Sequence, residues 1–247
     1  MSLEVLGTTT VVINDLKTVV ELLERRSSNY SDRPSFRMLG DVLQTVSSNI
    51  TAILALLRNP TVQEKSHEEI LRVVGRKRMP TFEDRKDLKY IEAVLLETLR
   101  WRPVLPMGVA HAQLWRMTFM KGISFLASII LARLSSDLPV RGILHDPIVY
   151  KDPFAFNPER FMGSEPEPKP STFGFGRRIC PGRFLSENSS FILVASLVWA
   201  FEILPTEGEP LPDSMAYTDH SLSHPLPFKC TFKPRFDFES VLDEEAR

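Results

Sequence analysis

Cys180 sits in the segment Phe173-Gly174-Phe175-Gly176-Arg177-Arg178-Ile179-Cys180-Pro181-Gly182. A cysteine does its chemistry as the thiolate, which is both a nucleophile and a metal ligand. A thiolate in apolar surroundings must be held in its charged form. Backbone N–H groups do this where the chain passes close to the sulfur, and Gly174, Gly176 and Gly182 allow such an approach. Pro181 suits the first residue of a helix. Cys180 would then stand at the positive end of that helix's dipole, which favours the thiolate. Phe173 could shield the sulfur from water, and Arg178 offers a charge-assisted donor to an anionic group. A Gly-rich turn around a buried free cysteine would account for the cysteine alone. It would not account for ten specified positions ahead of a long apolar run. Cys230 has no comparable surroundings and reads as structural.

A second constellation is Glu97-Thr98-Leu99-Arg100, an acid and a base at i and i+3 on one helix face. On a solvated surface such a pair is worth only about 0.2–0.5 kcal/mol. Here the helix is otherwise apolar, and Pro103, Pro106 and His111 follow it.

The elements that must hold these residues are mostly helical. Apolar spacing gives helices over 16–26, 45–58, 62–74 and 87–101, and a long apolar helix over 183–201. Asn59-Pro60 ends one helix, Thr61 is a candidate cap for the next, and Gly75 is its stop. Residues 3–13 read as two short strands around Gly7 and Thr8, and proline-punctuated strands fill 203–235. Residues 112–140 are apolar without a clear period. The 19 prolines concentrate in 139–170 and 205–234, which read as loop-rich. The last residues, 239–247, read as a frayed charged tail.

Composition narrows the classes. The chain has 247 residues, 43% hydrophobic and 25% charged, enough for one sizeable core. Its net charge of -1 gives no support to a nucleic-acid partner. Two cysteines 50 residues apart make neither a disulfide framework nor a four-thiolate metal site. No stretch reaches the roughly 20 apolar residues of a spanning helix. The sequence by itself therefore predicts a chain that is soluble or only peripherally membrane-attached, with no membrane anchor of its own.

The cysteine loop resembles the haem-binding signature of the cytochrome P450 family, haem-thiolate monooxygenases, and matches it at every fixed place: Phe173, Gly176, Arg178, Cys180 and Gly182. The filamentous-fungal, secondary-metabolism branch is the nearest in character. The resemblance implies a mainly α fold with small β-sheets (α+β), incomplete here: an N-terminal strand pair and helix fragment over 1–43, and a C-terminal haem-thiolate part over 44–247. It implies a b-type haem (heme b) whose iron is ligated by Cys180, a bond through which the thiolate pushes electron density onto the iron. Phe173, Gly174, Gly176 and Gly182 would shape the loop. Arg178 and His111 would face haem propionates. Glu97 and Arg100 would form a buried structural ion-pair network completed by Arg160, from Phe156-Asn157-Pro158-Glu159-Arg160-Phe161. His145-Asp146-Pro147 matches the turn before this proline-rich meander. The implied reaction inserts one atom of O₂ into a small apolar substrate, with NADPH electrons delivered by a cytochrome reductase. Family members are usually anchored to the endoplasmic-reticulum membrane; this chain lacks the anchor and could be cytoplasmic.

The chain also departs from the family pattern. Where an acid–alcohol pair normally serves bound oxygen, it reads Gly40-Asp41-Val42-Leu43-Gln44-Thr45, and only Thr45 matches. Several helices that should precede this point are missing, which makes a non-catalytic remnant the alternative. After His111 the family has a hairpin resembling Asp-Asp-x-Tyr-x-Gly-Tyr-x-Ile-Pro. This chain reads Arg116-Met117-Thr118-Phe119-Met120-Lys121-Gly122-Ile123-Ser124-Phe125-Leu126. Read one nucleotide earlier, permitted codons spell Asp-Asp-Ile-Tyr-Glu-Gly-Tyr-Phe-Ile-Pro. A frame-shifted or mis-spliced translation over about residues 112–140 is therefore expected.

Overall fold

Apolar residues on four helices account for the core of this computed structural model, which describes residues 2–5, 8–12, 16–26, 41–106, 108, 111–112, 118–120, 123–125, 128–131, 139–163, 168–219 and 222–237. Helix α1 begins at Leu16–Val19 and continues over Val20–Arg25 with a π-helical turn where the spacing alone predicts a plain α-helix. Helix α2 spans Asp41–Arg58, α3 Pro60–Val73 and α4 Lys89–Trp101. Two short helices follow, α5 over Pro139–Leu144 and α6 over Lys169–Phe173, and the long α7 covers Arg183–Ala200. Ala52, Leu56 and Leu57 of α2 meet Val62 and Ile70 of α3, Ile91 and Val94 of α4, and Phe191, Val194, Val198 and Trp199 of α7. Seven of these side chains, among them Leu56, Ile91 and Trp199, are fully buried. Removing one such side chain would cost about 2–5 kcal/mol through lost transfer energy and the cavity left behind.

Two helix ends differ from the sequence reading. Helix α3 starts at Pro60, with Asn59 in the cap position rather than Thr61. Proline's fixed φ suits the first helical turn, where its missing N–H costs nothing. The Asn59 side chain turns back to donate to the Ala55 carbonyl at 2.7 Å and so closes α2 instead of capping α3. Gly75 does stop α3: it has φ +76°, and its N–H reaches the Ile70 carbonyl at 3.3 Å.

The strands form three small sheets. β1 (Ser2–Val5) pairs antiparallel with β2 (Thr8–Val12), so the predicted N-terminal strand pair is present. β3 (His111–Ala112), β4 (Thr118–Met120), β5 (Ile123–Phe125) and β6 (Ser128–Leu131) come from the segment without a period. The first sheet has the order β1-β2-β6-β3, with β2 and β6 parallel. Among the described residues, β4 and β5 pair only with each other. β7 (Phe201–Pro205) and β8 (Cys230–Pro234) form the third sheet. Between them Tyr217 bridges Pro225. Among the described residues no helix is long and apolar enough to cross a membrane.

Candidate functional site

Helix α4 carries an ion-pair network at its C-terminal end. Glu97 and Arg100 are both fully buried, one helical turn apart. Arg100 grips Glu97 with two bonds, Nε to Oε2 at 2.7 Å and a terminal nitrogen to Oε1 at 2.9 Å. Its remaining donors go to three backbone carbonyls of the proline-rich segment: Leu144 at 2.9 Å, Pro153 at 2.7 Å and Ala155 at 3.1 Å. Arg160 sits in a 3₁₀ turn over Pro158–Met162, a turn that Asn157 caps by accepting from the Glu159 N–H. It reaches Glu97 Oε1 at 3.2 Å and donates to the Lys151 carbonyl at 3.0 Å. The Asn157 N–H adds a further bond to Oε1 at 2.8 Å. Buried ions are tolerated when partners satisfy their remaining donors and lone pairs. One carboxylate and two guanidiniums, saturated by backbone groups, meet that condition. The geometry explains why the segment is rich in irregular turns: its carbonyls are ligands for Arg100.

Cys180 follows a short loop whose two positive-φ residues are Gly174 (φ +86°) and Gly176 (φ +61°). The loop is not wholly irregular. Helix α6 ends at Phe173, and a 3₁₀ turn covers Gly176–Arg178. The Cys180 N–H donates to the Phe173 carbonyl at 2.9 Å, which closes the loop into a ring. Gly182 has an ordinary backbone conformation. Its φ of −82° is open to any residue, and it serves as the N-cap of α7. Pro181 likewise lies outside the helix, which begins at Arg183. The sulfur's residue is half-buried, consistent with a side chain at the edge of a cleft.

That cleft lies between α2, α4, α7 and the loop, and encloses about 420 Å³ with its open mouth included. Leu99 of α4, Val104, Leu105 and Phe173 form apolar walls, and Cys180 and Gly182 lie among them. Thr45 and Ser48 of α2, Thr172 of α6 and Ser186 of α7 add hydroxyls. Apolar walls beside a thiol are the kind of lining that a flat, apolar, iron-bearing group with a thiolate ligand would take. Phe173 lines the cleft as expected. His111 is placed in β3 and Arg178 in the 3₁₀ turn, but both side chains, like that of Gln44, lie outside the described residues.

Several residues take roles here that the sequence did not give them. Arg102, just past the end of α4, is buried, and its guanidinium lies between the Trp101 and Tyr217 rings at 5.2 and 5.1 Å. Burial, with Arg141 second, lowers its pKa to about 10. Tyr217, whose pKa burial raises to about 12, points its hydroxyl to Thr51 of α2 at 3.3 Å. Ser223 N–H donates to the Val104 carbonyl at 2.8 Å, so the chain beside the Tyr217–Pro225 bridge is tied to the cleft wall. His145 is buried against Phe154, its Nδ1 donating to the Arg141 carbonyl at 2.9 Å. Burial, then the charges of Arg100 and Arg141, hold its pKa down at about 3.

Comparison with known proteins agrees with this geometry. The cytochrome P450 family model matches residues 35–232. A cytochrome P450 monooxygenase, COX1 of Coprinopsis cinerea, is 36% identical over 228 residues, 89% of this chain and 42% of that protein. Cytochrome P450 monooxygenase 208 of Postia placenta is 38% identical over 205 residues, 80% of this chain and 39% of that protein. A zebra fish cytochrome P450 solved with abiraterone superposes with a TM-score of 0.69 at 30% identity, covering 78% of this chain and 44% of that one. The chain spans about two fifths of the length of these curated relatives. The match along most of its length, with the buried Glu97–Arg100–Arg160 network behind a cysteine loop, places this chain in the cytochrome P450 family.

Proposed function

We propose that this chain is the haem-binding part of a monooxygenase in which Cys180 ligates the iron and a small apolar molecule is the substrate. The observation that carries the reading is the position of Cys180: at the head of α7, in an apolar cleft whose rear wall, α4, is locked by Glu97, Arg100 and Arg160. Bound there, haem would supply oxygen activation and electron transfer. The protein's own residues supply the rest. Leu99, Val104, Leu105 and Phe173 exclude water from the thiolate. Gly174 and Gly176 let the backbone turn tightly enough for Cys180 to reach the cleft. His111 and Arg178 are assigned to the two propionates as charge-assisted donors. Electrons would come from NADPH through a cytochrome reductase. The Val104–Leu105 strap and the hairpin around Tyr217 would face the substrate.

A second reading, a haem-binding remnant that turns over poorly, is favoured by one sequence feature. Gln44 stands where a hydroxyl would serve bound oxygen, and an amide is a poor proton donor at such a site. The two readings separate in one experiment: purify the chain with haem, add reductase and NADPH, and compare NADPH consumed with product formed over a panel of apolar aromatics. Coupled product formation supports the monooxygenase. NADPH consumption without product supports the remnant, and no haem uptake at all overturns both.

A further inference from the structure

Residues 75–81 form neither helix nor strand, and run from the end of α3 to a 3₁₀ turn over Phe82–Lys86 that precedes α4. Thr81 closes this stretch, exposed and with extended backbone (φ −123°, ψ 171°). Arg76, Lys77 and Phe82 are exposed beside it. The run reads Arg76-Lys77-Arg78-Met79-Pro80-Thr81-Phe82. Arginines stand three and five residues before the hydroxyl, and a large apolar residue follows it. Of all the serines and threonines in the chain, Thr81 alone has arginines at both places; Ser28, Thr61, Ser136 and Ser186 have the nearer one only. Guanidiniums at fixed offsets offer charge-assisted contacts to the acidic groove of a basophilic protein kinase. Arg76 has no ion pair among the described residues, and its guanidinium lies over the Phe236 ring at 5.6 Å. Arg78 and Thr81 meet at one carboxylate. Arg78 reaches both oxygens of Asp84 at 2.7 Å, and the Thr81 hydroxyl donates to Asp84 Oδ2 at 3.0 Å. A phosphoryl group added to that hydroxyl would arrive beside the Arg78 guanidinium, a good partner for its charge.

We propose that Thr81 is a phosphorylation site for a protein kinase that reads Arg78 and Arg76. In the transfer, Thr81 Oγ attacks the γ-phosphorus of ATP. The Oγ–P bond forms as the bond from that phosphorus to its bridging oxygen breaks; ADP leaves, and the hydroxyl proton passes to the kinase's catalytic carboxylate. The site does not depend on the haem-thiolate reading. The test incubates the full, folded chain with ATP and the catalytic domain of a kinase that prefers arginine three and five residues before its target. Fragment mass spectrometry then follows the phosphate on each residue with time. Thr81 should be modified first, ahead of Ser28, Thr61, Ser136 and Ser186. Arg76→Ala should slow transfer to Thr81 by about tenfold, the loss of one charge-assisted contact, and leave the other positions unchanged. Its side chain is exposed, so that variant should fold. Thr81→Ala should remove the first phosphate. A folded wild-type chain that takes no phosphate at Thr81 would overturn the proposal, even where a peptide of residues 74–86 is modified. Equal rates at Thr81 in the wild type and in Arg76→Ala would overturn it as well.

Discussion

Glu97 and Arg160 are 63 residues apart in sequence and 3.2 Å apart in space, both buried. Their contact joins helix α4 to the irregular segment that leads toward the cysteine loop. Arg100 closes the joint from the other side through the carbonyls of Leu144, Pro153 and Ala155. Removing one member of a buried ionic network leaves uncompensated charge and costs about 3–5 kcal/mol. Glu97→Gln keeps the shape and removes the charge, stranding two guanidiniums. Urea unfolding should show a loss of that size, with Arg160→Met nearly as severe. Lys65→Ala, which breaks the exposed ion pair with Glu159, should cost about 1 kcal/mol or less.

Glu69 of α3 acts as a helix cap supplied from another element. Its two carboxylate oxygens accept from the Tyr90 N–H at 2.8 and 3.0 Å, and Oε2 also accepts from the Ile91 N–H at 3.1 Å. A negative charge on the first free N–H groups of α4 satisfies them and complements the dipole. Glu69→Ala should destabilise by about 0.5–2 kcal/mol in the same urea assay. The exposed neighbour Glu68→Ala should change little.

His145 gives the fold an acid-sensitive point. Its folded pKa of about 3 lies below the ordinary histidine value of 6.5, because burial and nearby guanidiniums oppose its charged form. The neutral ring's contribution is fully present above 6.5. It is lost progressively as pH falls from there toward 3, since the unfolded chain takes up a proton that the folded chain refuses. Stability should therefore decline between about pH 6.5 and 4 more steeply in the wild type than in His145→Phe. Parallel slopes for the two proteins would refute this role.

Residues with fixed spacing were legible in the sequence; residues that act through the backbone were not. Cys180 and the Glu97–Arg100 pair carry their chemistry in their side chains, so their types and intervals expose them. The apolar stripe of α4 likewise showed which face is buried. The carbonyl ligands of Arg100 gave no signal, because any residue presents the same carbonyl. Glu69 gave no signal, because its target lies 21 residues on in an element whose position only the fold sets. Arg102 was misjudged because a cation held by the two faces of Trp101 and Tyr217 needs a partner from the distant hairpin.

The segment after His111 allows a test at the level of the gene. Among the described residues, β4 and β5, drawn from the stretch that departs from the family pattern, pair only with each other. Sequencing the transcript should reveal a one-base shift or retained intron within codons 112–140, and further coding sequence near codons 42–45. A transcript that encodes the chain as written would contradict this origin.

The assignment of Cys180 as the iron ligand is tested most directly by the carbon monoxide spectrum of the reduced, haem-loaded chain. Thiolate ligation moves its main band to long wavelength, and the wild type and Cys230→Ser should both show the shifted band. Cys180→Ser should lose it. A Cys180→Ser protein that keeps the band, or a Cys230→Ser protein that loses it, would contradict the assignment.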